Sequence, residues 1–344
     1  RLLGSDFGQV RYVTLGQSPT SVTFAYSYWI YQLLVATLWS GLGPAGIVAL
    51  RVALVLGMLL LGGWLARKQG ASFPAVAGAL AIVVAASFER FVDRPDLVSH
   101  LLWLISLWVL VFHRRSRGVW WLVAIEAIWA NTHLYFSLLP PLILAFAIGD
   151  AIERRLEVRR VALVLLAVLA ASCLTPNGPL VWRPQLDLVR TVYGHAVPFP
   201  VTELTSPFAK ERPFLSLWVF RFVLPLSLLA IALAWRTLGW GVLLATLFAA
   251  LLGGSARRAM SFYAVSVLPF LPVAWDQLTR RSVAARGAFL GLTSAAGLAG
   301  VLSLASGFSK VWSTSAATCW RVQLIRTAPL RHRDCNGSST SGGR

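Results

Sequence analysis

The sequence predicts an all-α, polytopic helical membrane protein with about ten transmembrane helices and one further helix along the outer surface. Three observations carry this prediction. Hydrophobic residues make up 57% of the 344 residues, charged residues only 13%, and the mean hydropathy is +0.69. Soluble domains hold roughly 45–50% apolar and about 25% charged residues, so a water-soluble enzyme and a disordered chain are both excluded. The apolar residues fall in separate runs, and none alternates polar and apolar as a barrel strand does. The basic residues lie mostly in the short loops between those runs.

In chain order, residues 1–43 read as an outer loop ending in an interfacial helix. Segment 26–43 is rich in Trp and Tyr, the residues of the membrane interface, and as a span it would leave only Gly43-Pro44 as a turn. The transmembrane part, 44–306, holds apolar runs at 44–66, 73–91, 97–113, 118–132, 134–152, 159–175, 214–235, 238–254, 259–275 and 286–306. The tail, 307–344, is polar, ends in a Ser/Gly-rich stretch and reads as disordered. The chain begins with Arg1 and no signal peptide is visible, so it reads as a piece that follows a lost N-terminal segment. Three cysteines make no disulfide framework: Cys173 reads as a packing residue, while Cys319 and Cys335 could pair in the tail.

The formal net charge is +18. In a soluble chain that would suggest nucleic acid, but here the basic residues follow a membrane topology, so no nucleic-acid partner is expected. Arg67, Lys68, Arg114, Arg115, Arg117, Arg154, Arg155, Arg159, Arg160, Arg236, Arg280, Arg281 and Arg286 fall in alternate loops, which are read as cytoplasmic. The other loops hold Glu89, Asp93, Asp96, Asp187, Glu203 and Glu211 and are read as facing outside. All but Lys68, Lys210 and Lys310 of the 31 basic residues are Arg, a bias read as GC-rich bacterial coding. The expected location is therefore the bacterial cytoplasmic (inner) membrane.

Four polar clusters on the outer side are candidate sites, because polar groups at membrane depth are expensive. Asp6 is either a solvated loop residue or a general base. Glu89 to Asp96, closing with His100, places Asp96 and His100 four residues apart on one helix face. That cluster is either capping and charge pairing or a carboxylate-lined rim for a metal or a hydroxyl. Trp129, Asn131 and His133 lie between two apolar runs, with Glu126 upstream inside a run. Arg257 and Arg258 run against the charge rule at an outer end, and guanidinium forks match phosphate oxygens. No phosphate-binding loop, dinucleotide fingerprint, zinc-protease or serine-hydrolase motif is present.

Residues 26–56 form an aromatic helix, a Gly-containing turn and an Arg-bearing span. Further on come Arg94-Pro95-Asp96-Leu97-Val98-Ser99, then Trp129, Asn131 and His133, then Thr175-Pro176-Asn177-Gly178. Glu203 to Pro207 and Ala256-Arg257-Arg258 complete the series. In this order, across roughly residues 1–275, they resemble the GT-C type glycosyltransferases, multi-span enzymes that use polyprenyl-phosphate sugars. Within that superfamily the resemblance is to an uncharacterised bacterial branch, whose Asn-Pro order is exchanged here at 176–177. The resemblance implies a sugar transfer from a polyprenyl-phosphate donor, at the outer face, to an acceptor glycan, lipid or protein. It implies Asp6 as base, with Asp93 or Asp96 orienting the acceptor or holding a divalent cation, Mg2+ or Mn2+. Arg257 and Arg258 would stabilise the departing phosphate, and His100, Asn131, His133 and Glu203 would bind substrate. The competing expectations are a transporter or lipid flippase, with Glu126, His133 and the arginines along a path, and a non-catalytic membrane assembly partner.

Overall fold

The computed structural model describes residues 9–12, 20–23, 28–186, 205–209 and 215–282, with Gly287 and Gly291. Asp6, Glu203, the rest of the run 286–306 and the tail 307–344 lie outside them. A short antiparallel hairpin, β1 (Gln9–Tyr12) and β2 (Thr20–Thr23), precedes the helices, with Gln9 opposite Thr23. The remainder is helical. The order is α1 (Trp29–Leu42), α2 (Pro44–Lys68), α3 (Phe73–Ser87), α4 (Asp96–Phe112), α5 (Trp121–Ala130), α6 (Leu139–Ile152) and α7 (Val158–Ser172). After the loop region come α8 (Leu215–Leu233), α9 (Trp240–Ser255), α10 (Met260–Val267) and α11 (Leu271–Arg281).

Each apolar run from 44–66 to 238–254 contains one of these helices. Length separates them. Pro44–Lys68, Phe73–Arg90, Leu134–Ile152 and Ser216–Leu233 are long and apolar enough to cross a membrane. A fifth is added if the bent pair Arg257–Val267 and Leu271–Arg280 counts as one span. The other helices are shorter: the 10 residues of α5 rise ~15 Å, half of the ~30 Å hydrocarbon core. By length and composition, the described helices therefore give four or five spans where the hydropathy runs predict about ten. The run 259–275 is not one straight helix either. It bends by 56° between α10 and α11, where Pro269 lies in the break and Pro272 in the first turn of α11, and proline cannot continue a helical ladder.

Local rules set the helix ends. Gly43, at φ +60°, makes the turn between α1 and α2, and Pro44 opens α2. Ser72 caps α3 by accepting from the Ala75 N–H, while its own hydroxyl and N–H donate to Asp276 of α11. The core is aromatic: Trp103, Trp129, Phe136, Phe220, Phe262, Tyr263 and Phe270 are fully buried. Tyr263 donates its hydroxyl to the Leu224 carbonyl, next to Pro225 inside α8.

The helix ends sort into two groups. At one end Arg114 and Arg115 pair with Asp150. There Arg160 donates to the Arg115 carbonyl, and Glu153 accepts from the Trp240 N–H. These residues belong to the loops read as cytoplasmic. The other end, one length of α4 away, holds Asp96 and His133.

α6 and α9 approach closely, because Gly149 meets Gly241. A Cβ added at Gly149 would lie 2.3 Å from the Gly241 nitrogen, and that obstacle is backbone. By contrast, a Cβ at Gly57 of α2 would meet nothing within 4 Å. Gly149→Val is expected to destabilise the protein by more than the about 1–3 kcal/mol of ordinary overpacking. Gly57→Ala is expected to be neutral, or stabilising by about 0.5–1 kcal/mol through helix propensity. Thermal unfolding of the purified variants in mild detergent checks both, and equal behaviour of the two would refute the close contact.

Candidate functional site

Ser99 of α4 connects two of the sequence clusters. Trp129 and His133 are four residues apart, and the His133 N–H donates to the Trp129 carbonyl (2.9 Å), so both side chains reach α4. Ser99 Oγ accepts from Trp129 Nε1 (2.9 Å) and donates its proton to His133 Nδ1 (2.8 Å). The Tyr135 N–H also points at Nδ1 (3.4 Å). With two donors converging on Nδ1, the ring proton sits on Nε2. The Tyr28 and Tyr135 rings flank the imidazole, with centroids at 5.4 and 4.5 Å. Burial pushes the His133 pKa from its ordinary 6.5 down to about 3, and the Arg258 guanidinium adds to the shift.

His100 is fixed in the opposite tautomer. Its Nδ1–H donates to the Asp96 carbonyl (2.5 Å), which leaves Nε2 to accept from Ser261 of α10 (3.0 Å). Both ring nitrogens are used, and His100 serves as a tie between α4 and α10. Asn131 is likewise occupied. Its Oδ1 accepts from Trp29 Nε1 (2.7 Å), and Nδ2 donates to the Ala127 and Leu174 carbonyls (both 2.8 Å). It clamps α1 against the end of α5 and the residues that follow α7.

A cavity of ≈200 Å³ opens beside these anchors. Tyr28, Arg90, Arg94, Asp96, His133 and Arg258 line it, together with Tyr135 and Gln185. Asp96 stands in the first turn of α4 after Pro95 and is nearly buried. Its Oδ2 lies 3.8 Å from Arg90 Nη2, and Oδ1 makes no hydrogen bond among the described residues. Among the described residues the lining thus holds three guanidinium groups and one carboxylate, and guanidinium forks match the oxygens of an anion such as phosphate. Tyr28 is held protonated, because burial raises its pKa to about 12 despite Arg258.

The remaining candidates lie elsewhere. Asp93 pairs with Arg51 of α2 at 3.4 Å, more than a third exposed, and does not line the cavity. Arg257 also lies outside the lining. Its N–H donates to the Thr205 carbonyl (2.9 Å), and Ser206 donates to the Gly254 carbonyl (2.8 Å). Thr205 and Ser206 are thereby set against the end of α9 and Arg257. Asp6 and Glu203 themselves fall outside the described residues. Among the described residues no three His, Cys, Asp or Glu side chains gather as metal ligands. Asp93 and Asp96 each face an arginine instead, so this donor set does not fit the implied divalent cation, and no step is routed through one.

Sequence reasoning missed Tyr28 and Gln185 as lining residues, while Arg90 and Arg94 belong to the charged cluster 89–96 that it singled out. Tyr28 was absorbed into the aromatic interface signal. Gln185, whose amide donates to the Leu134 carbonyl, carries no sequence signal.

The His133 tautomer has a pH consequence. The ring is neutral in the folded protein, and the unfolded chain takes up a proton below about pH 6.5. The unfolded state then binds more protons, so stability is full above that pH and declines as pH falls toward about 3. The melting temperature of the wild type is expected to drop between pH 6.5 and 4, and His133→Gln should flatten that drop. An equal decline in both proteins would assign it to other groups.

No protein-family model, curated protein or solved structure matches the chain.

Proposed function

We propose that the chain is a GT-C-like membrane glycosyltransferase of the bacterial inner membrane, transferring a sugar from a polyprenyl-phosphate donor to an acceptor at the outer face. In this reading the shorter helices complete a bundle of about ten spans, and α1 lies along the outer interface. The observation that carries it is the juxtaposition of Asp96 and Arg258 in one ≈200 Å³ cavity. A one-step inverting transfer asks for both groups. The acceptor hydroxyl attacks the anomeric carbon, and its proton passes to a carboxylate. The bond between that carbon and the phosphate oxygen breaks, and the departing phosphate keeps the electron pair. Guanidinium groups preorganised at that oxygen stabilise the charge as it develops.

In this reading Asp96, the one carboxylate among the described lining residues, accepts the proton, and Arg258, with Arg90 and Arg94, binds the phosphate. His133 offers a neutral Nε2–H to a sugar or phosphate oxygen without adding charge. The exposed apolar side chains of α1, including Leu33, Leu34, Trp39 and Leu42, give a polyprenyl tail a surface near Tyr28. The transporter alternative needs Glu126 on a continuous path. Glu126 is fully buried in α5 and does not line this cavity.

The test is transfer from a polyprenyl-phosphate hexose by the protein in proteoliposomes, with native mass spectrometry of co-purified lipid. Asp96→Asn is expected to keep bound polyprenyl phosphate but lose about 10²–10⁴-fold in transfer rate. Arg258→Ala is expected to lose the bound lipid. A folded Asp96→Asn protein with wild-type transfer would remove Asp96 as the base. Bulk phospholipid alone, unchanged by Arg258→Ala, would move the reading to a transporter or assembly partner.

A further inference from the structure

We infer that the opposite end of the bundle carries a binding groove for an anionic phospholipid headgroup, with the lipid phosphate held by Arg115, Arg155 and Arg160. This inference is independent of the glycosyltransferase reading. The groove lies between the end of α4, α6 and the start of α7, and has a volume of ≈40 Å³. At ~10–15 Å³ per water that is room for about three waters, comparable with one phosphate group.

Its charges are unequal in role. Arg114 is spent on structure: Nε and Nη2 donate to Asp150 at 3.1–3.3 Å, and Nη1 donates to the Leu110 and Val111 carbonyls. The other arginines keep donors in reserve. Arg115 uses Nη2 on Asp150 (2.6 Å), while its Nε and Nη1 make no hydrogen bond among the described residues. Arg160 uses Nη1 on the Arg115 carbonyl and Glu157, leaving Nε and Nη2. Arg155 reaches Glu153 only at 3.4 Å. The side chains of Arg115, Arg155 and Arg160 are 41%, 61% and 36% exposed. Four guanidinium groups line the groove against Asp150 and Glu157, and Glu153 beside it pairs with Arg155, which leaves a surplus of one positive charge among the described residues.

The wall decides between a lipid and a soluble anion. Ile143, Phe146, Val161 and Val164 line the same groove below the arginines. Beside it, Trp121 and Val158 are 64% and 67% exposed, as side chains facing lipid would be. A guanidinium rim over an apolar wall between helices matches a headgroup joined to acyl chains. The sequence reading places this end in the cytoplasm, where anionic lipid in the inner leaflet would meet it.

The test is thermal unfolding of the full chain in neutral detergent with added phosphatidylglycerol, phosphatidylcholine or inorganic phosphate. Retained lipid is counted by native mass spectrometry. Phosphatidylglycerol is expected to raise the melting temperature by roughly 5 °C at saturation, and the other two to leave it unchanged. Arg115→Gln combined with Arg160→Gln, which spares the Arg114–Asp150 pair, should abolish both the shift and the retained lipid. If that double variant fails to fold, Arg155→Gln alone should reduce both. A variant that keeps the full shift and the lipid overturns the groove. An equal shift with inorganic phosphate overturns the lipid and leaves a site for a free anion.

Discussion

The constraint behind this structure is that a polar atom at membrane depth must find its partner inside the protein. Water is not there to supply one. The small polar side chains answer it locally. Ser106, Thr132, Thr246 and Ser266 each donate to the carbonyl four residues back in their own segment. Several larger ones answer it across helices, whereas the Glu126 carboxyl oxygens make no hydrogen bond among the described residues. Trp129 and His133 share Ser99, His100 takes Ser261, and Asn131 takes Trp29. These cross-links tie α1, α4, α5 and α10 together at the end where the cavity opens. Anchoring the helices and shaping the cavity are consequently tasks of the same residues.

Much of the architecture was legible because hydropathy reports burial in lipid directly. The runs at 44–66 and 134–152 became helices that can cross a membrane. The runs at 118–132 and 259–275 look the same by hydropathy but fold as a 10-residue helix and a bent pair. Composition measures how apolar a segment is and says little of how far it extends before a turn or a proline ends it. The basic loops were legible for the same reason as the spans. Arg114, Arg115 and Arg160 do meet at one end, through Asp150 and the Arg115 carbonyl.

The site was legible in part. Spacing along the chain put Asp96 beside His100, and the structure shows why that pair matters locally: the Asp96 carbonyl fixes the His100 ring. It could not show that His100 turns inward to Ser261 while His133, in the connection after α5, faces the cavity. It could not separate Arg258 from Arg257, which are adjacent in sequence and set by a single 3₁₀ turn, Arg257–Ala259. Nor could it separate Asp93 from Asp96. Only the packing of α2 draws Asp93 out to Arg51. Residue type announces chemistry, and the direction of a side chain belongs to the tertiary structure.

The Gly149–Gly241 contact bears on how this chain can change over generations. At most tight contacts a larger residue on one helix can be accommodated by a smaller one opposite. Here both partners are already the smallest residue available, so neither position can rescue the other. The two glycines act as one inherited unit, and they fix the spacing of α6 and α9 beside Asp150 and Trp240. Variation in this protein is channelled toward helices such as α2, where Gly57 faces open space.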